Sequence, residues 1–301
     1  MQPRFKSTAM SVIAAALVAL SAAAVAAGWW MVARQSPGSP PPVTSSAPNG
    51  GMNGMGGMEG MPVPSGDGLA DSVNGYTLAL RTSPAAAPAT ASTYTITSNG
   101  KTVTAFDPEQ TKLMHFYLVR SDLSGFQHVH PSMSPDGTWS APIIPVIPGA
   151  YRIYAQFVPH ADATGGALTL STPVTVAGVN ESALAPLPAP SPSTTIDGYT
   201  VALDGALAAG REAPLRITIT KNGQPVTDLR PYLDTYAHVT AIHQGDLAFA
   251  HLHPDDAVSG DHGGPTLTVH AQLPERGNYR MFIQFETDGA LHTAAITVPT
   301  R

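Results

Sequence analysis

Apolar and polar residues alternate in short runs along most of this chain. Tyr76-Thr77-Leu78-Ala79-Leu80, Thr93-Tyr94-Thr95-Ile96-Thr97 and Val174-Thr175-Val176 follow a period of two, at which successive side chains take opposite faces of a strand. Prolines punctuate the gaps, where a residue without an N–H donor can leave a sheet. No stretch sustains the 3.6-residue period of an amphipathic helix. Short strands recurring about every ten residues predict an all-β fold of antiparallel, Ig-like β-sandwiches.

The pattern also repeats. Gly75-Tyr76-Thr77-Leu78-Ala79-Leu80 returns as Gly198-Tyr199-Thr200-Val201-Ala202-Leu203, and Asn99-Gly100 returns as Asn222-Gly223. Each Asn-Gly pair stands between strand-like runs, as in a two-residue hairpin turn. Tyr151-Arg152-Ile153-Tyr154-Ala155-Gln156-Phe157 returns as Tyr279-Arg280-Met281-Phe282-Ile283-Gln284-Phe285. An internal duplication follows, with repeats at 75–178 and 197–301. Each has about 100 residues, enough for one core without disulfides. Between them, 179–196 carries Pro186, Pro188, Pro190 and Pro192, the composition of a semi-rigid spacer.

The beginning of the chain differs. Residues 1–8 hold Arg4 and Lys6, and 9–33 is an uncharged apolar run ending near Trp29 and Trp30. A bilayer core needs about 20 such residues, and interfacial tryptophans with more basic charge before the run place the N-terminus inside. The reading is a single-pass anchor in the cell membrane with everything after Arg34 extracytoplasmic. Ala24-Val25-Ala26 would also serve as a signal-peptide cleavage site, which would make the protein secreted. Both readings export the rest of the chain. Residues 34–74 are rich in Pro, Gly and Ser and too polar to fold alone. Within this tether Met52, Met55, Met58 and Met61 recur every third residue among glycines. Thioether sulfur is a soft neutral ligand that selects Cu(I), and glycine spacers let several sulfurs converge. The competing reading is a low-complexity linker or a lipid-touching patch.

Composition narrows the chemistry. The 15 basic and 21 acidic residues give a net charge of -6, and no basic stripe suits nucleic acid. With no cysteine there is no disulfide framework, thiolate zinc site, iron–sulfur cluster, catalytic thiol or blue-copper centre. The remaining soft or borderline ligands are 10 methionines and 11 histidines.

The histidines follow the duplication. His115 precedes Phe126-Gln127-His128-Val129-His130-Pro131, and His238 precedes Phe249-Ala250-His251-Leu252-His253-Pro254. In a strand, a His-x-His pair shows both imidazoles on one face. A hairpin turning at Ser121-Asp122 brings His115 opposite that pair, and the second copy predicts the same for His238, His251 and His253. Three imidazoles suit Zn(II), Cu(II) or Ni(II). His160 and Asp288 occupy matching places after the Gln-Phe of the shared strand and are the candidate fourth ligands. The bland alternative is two hydrogen-bonded histidine clusters that help specify the fold.

At these residues the chain resembles exported, membrane-anchored actinobacterial tandem β-sandwich proteins with Phe-x-His-x-His-Pro hairpins. It is loosely similar to periplasmic copper-resistance chaperones. The resemblance covers both repeats and implies metal handling without catalysis, although the N-terminal histidine of such chaperones has no counterpart here. The leading expectation is a non-enzymatic extracytoplasmic protein for copper sequestration or delivery near a metal transporter or metallochaperone. Cu(I) would sit at the Met tract, and Cu(II) or Zn(II) at the histidine clusters. One alternative is a structural or adhesive β-sandwich module. A second is a three-histidine zinc hydrolase, which no evident general base supports. A cupin-type oxygenase lacks its glutamate after His-x-His.

Overall fold

The computed structural model describes residues 67–86, 89–145, 147–177, 183–254 and 258–301. The apolar run at 9–33 and the tract of Met52, Met55, Met58 and Met61 lie outside them. Among the described residues no helix is long and apolar enough to cross a membrane. The one helical segment there is a short 3-10 stretch, His160–Gly165, and the fold is all-β.

In the first repeat the main strands are β1 (Tyr76–Thr82), β2 (Ser92–Ser98), β3 (His115–Arg120), β4 (Gln127–Val129), β5 (Trp139–Ala141), β6 (Gly149–Pro159) and β7 (Leu168–Val176). One sheet runs β1-β2-β5 with two-residue strands at its edges, and the other runs β7-β6-β3-β4. Every pairing in both is antiparallel. Tyr76, Tyr94, Ile96 and Trp139 of the first sheet meet Phe116, Leu118, Ile153 and Phe157 of the second in one core. The period-two pattern therefore puts its apolar members between two layers, as expected of a sandwich.

The second repeat has β8 (Ser193–Ile196), β9 (Tyr199–Asp204), β10 (Glu212–Lys221), β11 (His238–His243), β12 (Phe249–Pro254), β13 (Thr266–Gln272), β14 (Gly277–Thr287) and β15 (Ala290–Thr300). Because β8 pairs with β9 over Ser193↔Ala202 to Ile196↔Tyr199, this repeat takes in four residues that the sequence assigns to the spacer. The order is β8-β9-β10-β13-β12-β11-β14-β15. Here β12 pairs with β11 and also reaches β13 through His253↔His270, so one strand passes between the two layers.

Tight turns carry the repeat's signature. Asn99 and Gly100 lie at φ of 50° and 73°, Asn222 and Gly223 at 53° and 75°. Two successive positive φ values define the turn that suits the twist of a hairpin. Asp288 and Gly289, at 53° and 74°, make the same turn between β14 and β15.

The repeats pack against each other and belong to one compact unit. Strand β3 alternates between two apolar destinations: Phe116 and Leu118 enter the first repeat's core, while Tyr117 and Val119 face Ile242, Phe249 and Phe282 of the second repeat. All six of its residues are buried, which explains a strand with no polar face. The rings of Phe126 and Phe282 stack at 3.9 Å and 6°, and Tyr154 donates its hydroxyl to the Leu247 carbonyl at 2.7 Å. The proline-rich segment is laid along this joint. Ala185 N–H donates to Asp122 at 3.0 Å, and Leu187 packs on the interface cluster.

Removing the Phe282 ring should cost about 3 kcal/mol. A double-mutant cycle of Phe126→Ala with Phe282→Ala, followed by urea unfolding, should return a coupling of about 1 kcal/mol from the stacked pair. Strictly additive losses would mean that the repeats do not meet through these rings.

Candidate metal centre

The β3–β4 hairpin forms where the sequence places it, with Phe116↔Val129, Tyr117↔His128 and Leu118↔Gln127 in register. One further step along this register brings His130 level with His115. His115 shares the parity of Tyr117 and Val119, so it faces the second repeat and not the first repeat's core. The pairing thereby gathers three imidazoles at the joint between the repeats.

The ligand-capable nitrogens of His115, His128 and His130 all lie within 4.8 Å of one another. His115 Nδ1 and His128 Nε2 are 3.1 Å apart. A tetrahedral zinc shell with Zn–N of about 2.0–2.1 Å needs nitrogens roughly 3.3 Å apart. Three nitrogens at this spacing are close to what an ion requires, with small side-chain rotations left to complete it.

Proton accounting adds to the geometry. His115 Nε2 is 2.9 Å from the Glu109 carbonyl oxygen, which can only accept, so Nε2 carries the hydrogen and Nδ1 has a lone pair aimed inward. His128 Nδ1 lies 2.7 Å from Gln284 Oε1. With that amide oxygen as acceptor, His128 also donates outward and turns its Nε2 lone pair inward. His130 Nε2 is buried without a hydrogen-bond partner. Two inward lone pairs 3.1 Å apart repel each other unless a cation lies between them. The alternative arrangement needs His128 to donate from Nε2 to His115 Nδ1 and the Gln284 amide to turn its NH2 group toward His128.

Burial keeps the cluster neutral. Desolvation lowers the His115 pKa to about 4, with the Glu109 hydrogen bond opposing and Lys112 reinforcing the shift. Desolvation also takes His130 to about 4, helped by the neighbouring His115 and Lys112. Neutral imidazole is the form that ligates metal, so both are ready as ligands at neutral pH.

The second repeat closes the site. The His238 ring lies parallel to that of His115, with centroids 5.8 Å apart, and 4.8 Å from that of His128. Its Nε2 is 3.3 Å from the Tyr117 hydroxyl, and Tyr117 itself stacks on His128 at 4.2 Å. His238 thus lies against the first repeat's histidines, where the sequence suggests separate hairpins. The side chains of His251 and His253 lie outside the described set. Their backbone register, Thr240↔His251, copies Tyr117↔His128.

Two expected ligands are placed elsewhere. His160 is 68% exposed and bonded to Asp107 at 2.7 Å, because the 3-10 segment after β6 carries it off the sheet. Asp288 is 75% exposed and 3.8 Å from Lys221; it stands in the β14–β15 turn at a positive φ that suits an Asp-Gly pair. Neither joins the three-histidine group. Met52, Met55, Met58 and Met61 lie outside the described residues. Sequence reasoning missed Gln284, Tyr117 and the Glu109 carbonyl. The available signal for Gln284 was its recurrence with Gln156 as the polar residue before Phe in an apolar strand.

In ion-free protein the sign of the pH effect follows from these shifts. The unfolded chain takes up protons near 6.5 that folded His115 accepts only near 4, so folding stability is complete above about 6.5 and falls as pH drops toward 4. The rings of His128, His130 and His238 lie against His115, and Lys112 reinforces its shift. Unfolding free energies from urea titrations in chelator should fall between pH 7 and 5, by up to about 3 kcal/mol toward pH 4 from His115. A flat profile across that interval would contradict a buried neutral cluster.

Comparison with known proteins gives a family and little else. No curated protein matches the chain. Among solved structures, an S-layer protein, rSbsC, aligns at 16% identity over 74% of this chain and 27% of its own, with a TM-score of 0.19. This chain therefore spans about a quarter of that protein's length. A putative membrane anchored protein from Corynebacterium diphtheriae aligns at 14% identity over 76% of this chain and 57% of its own, with a TM-score of 0.22. The D0-D1 domain of Intimin aligns at 14% identity, covering 74% and 97% of the two chains, with a TM-score of 0.20. Likeness at this level does not bear on activity. Residues 71–176 and 194–301 each match one family described as "Domain of unknown function (DUF8832)". The chain belongs to that family and carries its domain twice.

Proposed function

We propose that this protein is an extracytoplasmic metal-binding protein built on two Ig-like sandwiches, with a borderline transition-metal ion held by His115, His128 and His130. The observation that carries the reading is the convergence of three imidazoles on one place in the joint. Their ligand-capable nitrogens lie within 4.8 Å of one another, the outer nitrogens of His115 and His128 meet carbonyl oxygens, and His130 Nε2 is buried without a hydrogen-bond partner. Copper is the favoured ion on ligand chemistry, since imidazole accepts Cu(II) and a methionine tract in the same chain would select Cu(I). Zn(II) satisfies the same imidazoles. Export, through the apolar run at 9–33, would put this chemistry outside the cytoplasm, for sequestration or delivery beside a transporter.

The second reading is a structural or adhesive module in which the histidines only hydrogen-bond the repeats together. It is favoured by the cluster's place in the joint, where a network that builds the fold would also lie. Among the described residues no carboxylate joins the three-histidine group as a general base for the hydrolase alternative.

Metal analysis of full-length protein purified without chelator separates the two. About one equivalent of copper or zinc should remain, and calorimetry should give micromolar or tighter affinity, about -8 kcal/mol or better. The triple substitution His115→Ala, His128→Ala, His130→Ala should abolish this component. Replacing Met52, Met55, Met58 and Met61 by leucine should remove Cu(I) capture and leave the histidine component intact. Affinity for copper and zinc no tighter than millimolar leaves only the structural module.

A further inference from the structure

The first repeat supplies the three histidines, yet the group that sets the tautomer of one of them belongs to the second. Gln284 stands on β14, beside His238 across the sheet, and its side chain reaches over the joint to His128 Nδ1 at 2.7 Å. It is 3% exposed, so water does not compete for the amide. Its nitrogen lies 3.4 Å from Thr293 Oγ1, which can accept from the amide while its oxygen faces His128. Metal-ligating histidines depend on such an outer acceptor to hold the ring and raise its basicity.

The hairpin that holds the histidines is also the contact surface between repeats. Tyr117 sits between His115 and Val119 on β3 and packs on Phe249, and Phe126 stacks on Phe282 two residues from Gln284. Separating the repeats would take away the Gln284 acceptor, the His238 ring and the apolar cover together.

We infer that Gln284 is the positioning residue of the metal site, and that the second repeat, through this one amide oxygen, makes ion binding and repeat docking a single linked event. This rests on the reading of the cluster as an ion site. A ligand that binds only the docked form stabilises docking by the same free energy that docking adds to its binding. The duplication has then produced a shared site, in which one copy ligates and the other orients.

The test compares full-length wild type with Gln284→Leu and Gln284→Glu, titrated with Zn(II) alone. Leucine removes the acceptor and should weaken zinc binding ten- to a hundredfold. Glutamate can only accept from His128 Nδ1–H, so it should bind zinc at least as tightly as wild type while being less stable without zinc. A side chain that merely filled space would lose affinity equally in both variants, which would overturn the inference. Nitrogen-15 spectra give a readout independent of folding in the variants. Zinc-loaded wild type should show His128 protonated at Nδ1 and metallated at Nε2; the opposite tautomer would overturn the assignment. If wild type binds zinc and both variants match it, Gln284 has no positioning role although the metal reading stands. If wild type binds no zinc or copper, the metal reading itself fails, and this inference with it.

Discussion

The structure depends on one sheet being buried on both faces. Strand β3 sends Phe116 and Leu118 into its own sandwich and Tyr117 and Val119 into the neighbouring repeat. Antiparallel sheets commonly keep one solvated face, and this one has given it up. A polar group on that second face must find partners inside protein, because an unsatisfied buried polar group costs on the order of 1–3 kcal/mol. His115 and His128 lie on that face, the His238 ring of the second repeat lies against them, and all three are buried. Their placement in the joint makes their hydrogen bonding a condition of docking and not a surface detail.

Desolvation explains why the cluster is neutral, and neutrality makes it chemically open. An imidazole held below its ordinary pKa by burial keeps a lone pair available at neutral pH. Other histidines on the same chain are occupied differently. His160 pairs with Asp107, His270 with Glu212, and His292 bridges Asp197 and Thr287. Carboxylate partners engage those imidazoles one at a time, whereas the buried group has mainly other imidazoles and carbonyl oxygens around it.

Much of this was legible in the sequence because it is local. The alternation in Tyr76–Leu80, the Asn-Gly turns and the spacing of His115 to His128 and His130 are all set within one hairpin. Strand parity and register then follow from elementary geometry. The docking of one repeat on the other was not legible, since β3 has no polar face from which to read an orientation. A strand buried twice looks the same in sequence whether its second cover is a domain, a membrane or a partner. The surroundings of His160 and Asp288 were not legible for a related reason. His160 and Asp288 match in order along the chain, but one sits in a 3-10 segment and the other in a positive-φ turn, and loops do not preserve direction as strands do.

The duplication explains how such a joint could arise at all. Two copies of one sandwich share the same apolar pattern and the same Gln-Phe step on the central strand, so each offers the other a complementary face. Tyr117 in the first copy stands opposite His128, and Thr240 in the second stands opposite His251. The larger ring occupies one side of the joint and the smaller side chain the other, as two copies must differ if both are to fit. Once the copies diverge in this way, polar residues need not serve their own repeat. Gln284 lies beside His238 in its own sheet but bonds His128 across the joint. A hydrogen bond made across a pair of docked domains exists only while they remain docked. Whatever fixes the protons in this cluster therefore also reports on, and acts upon, the contact between the repeats.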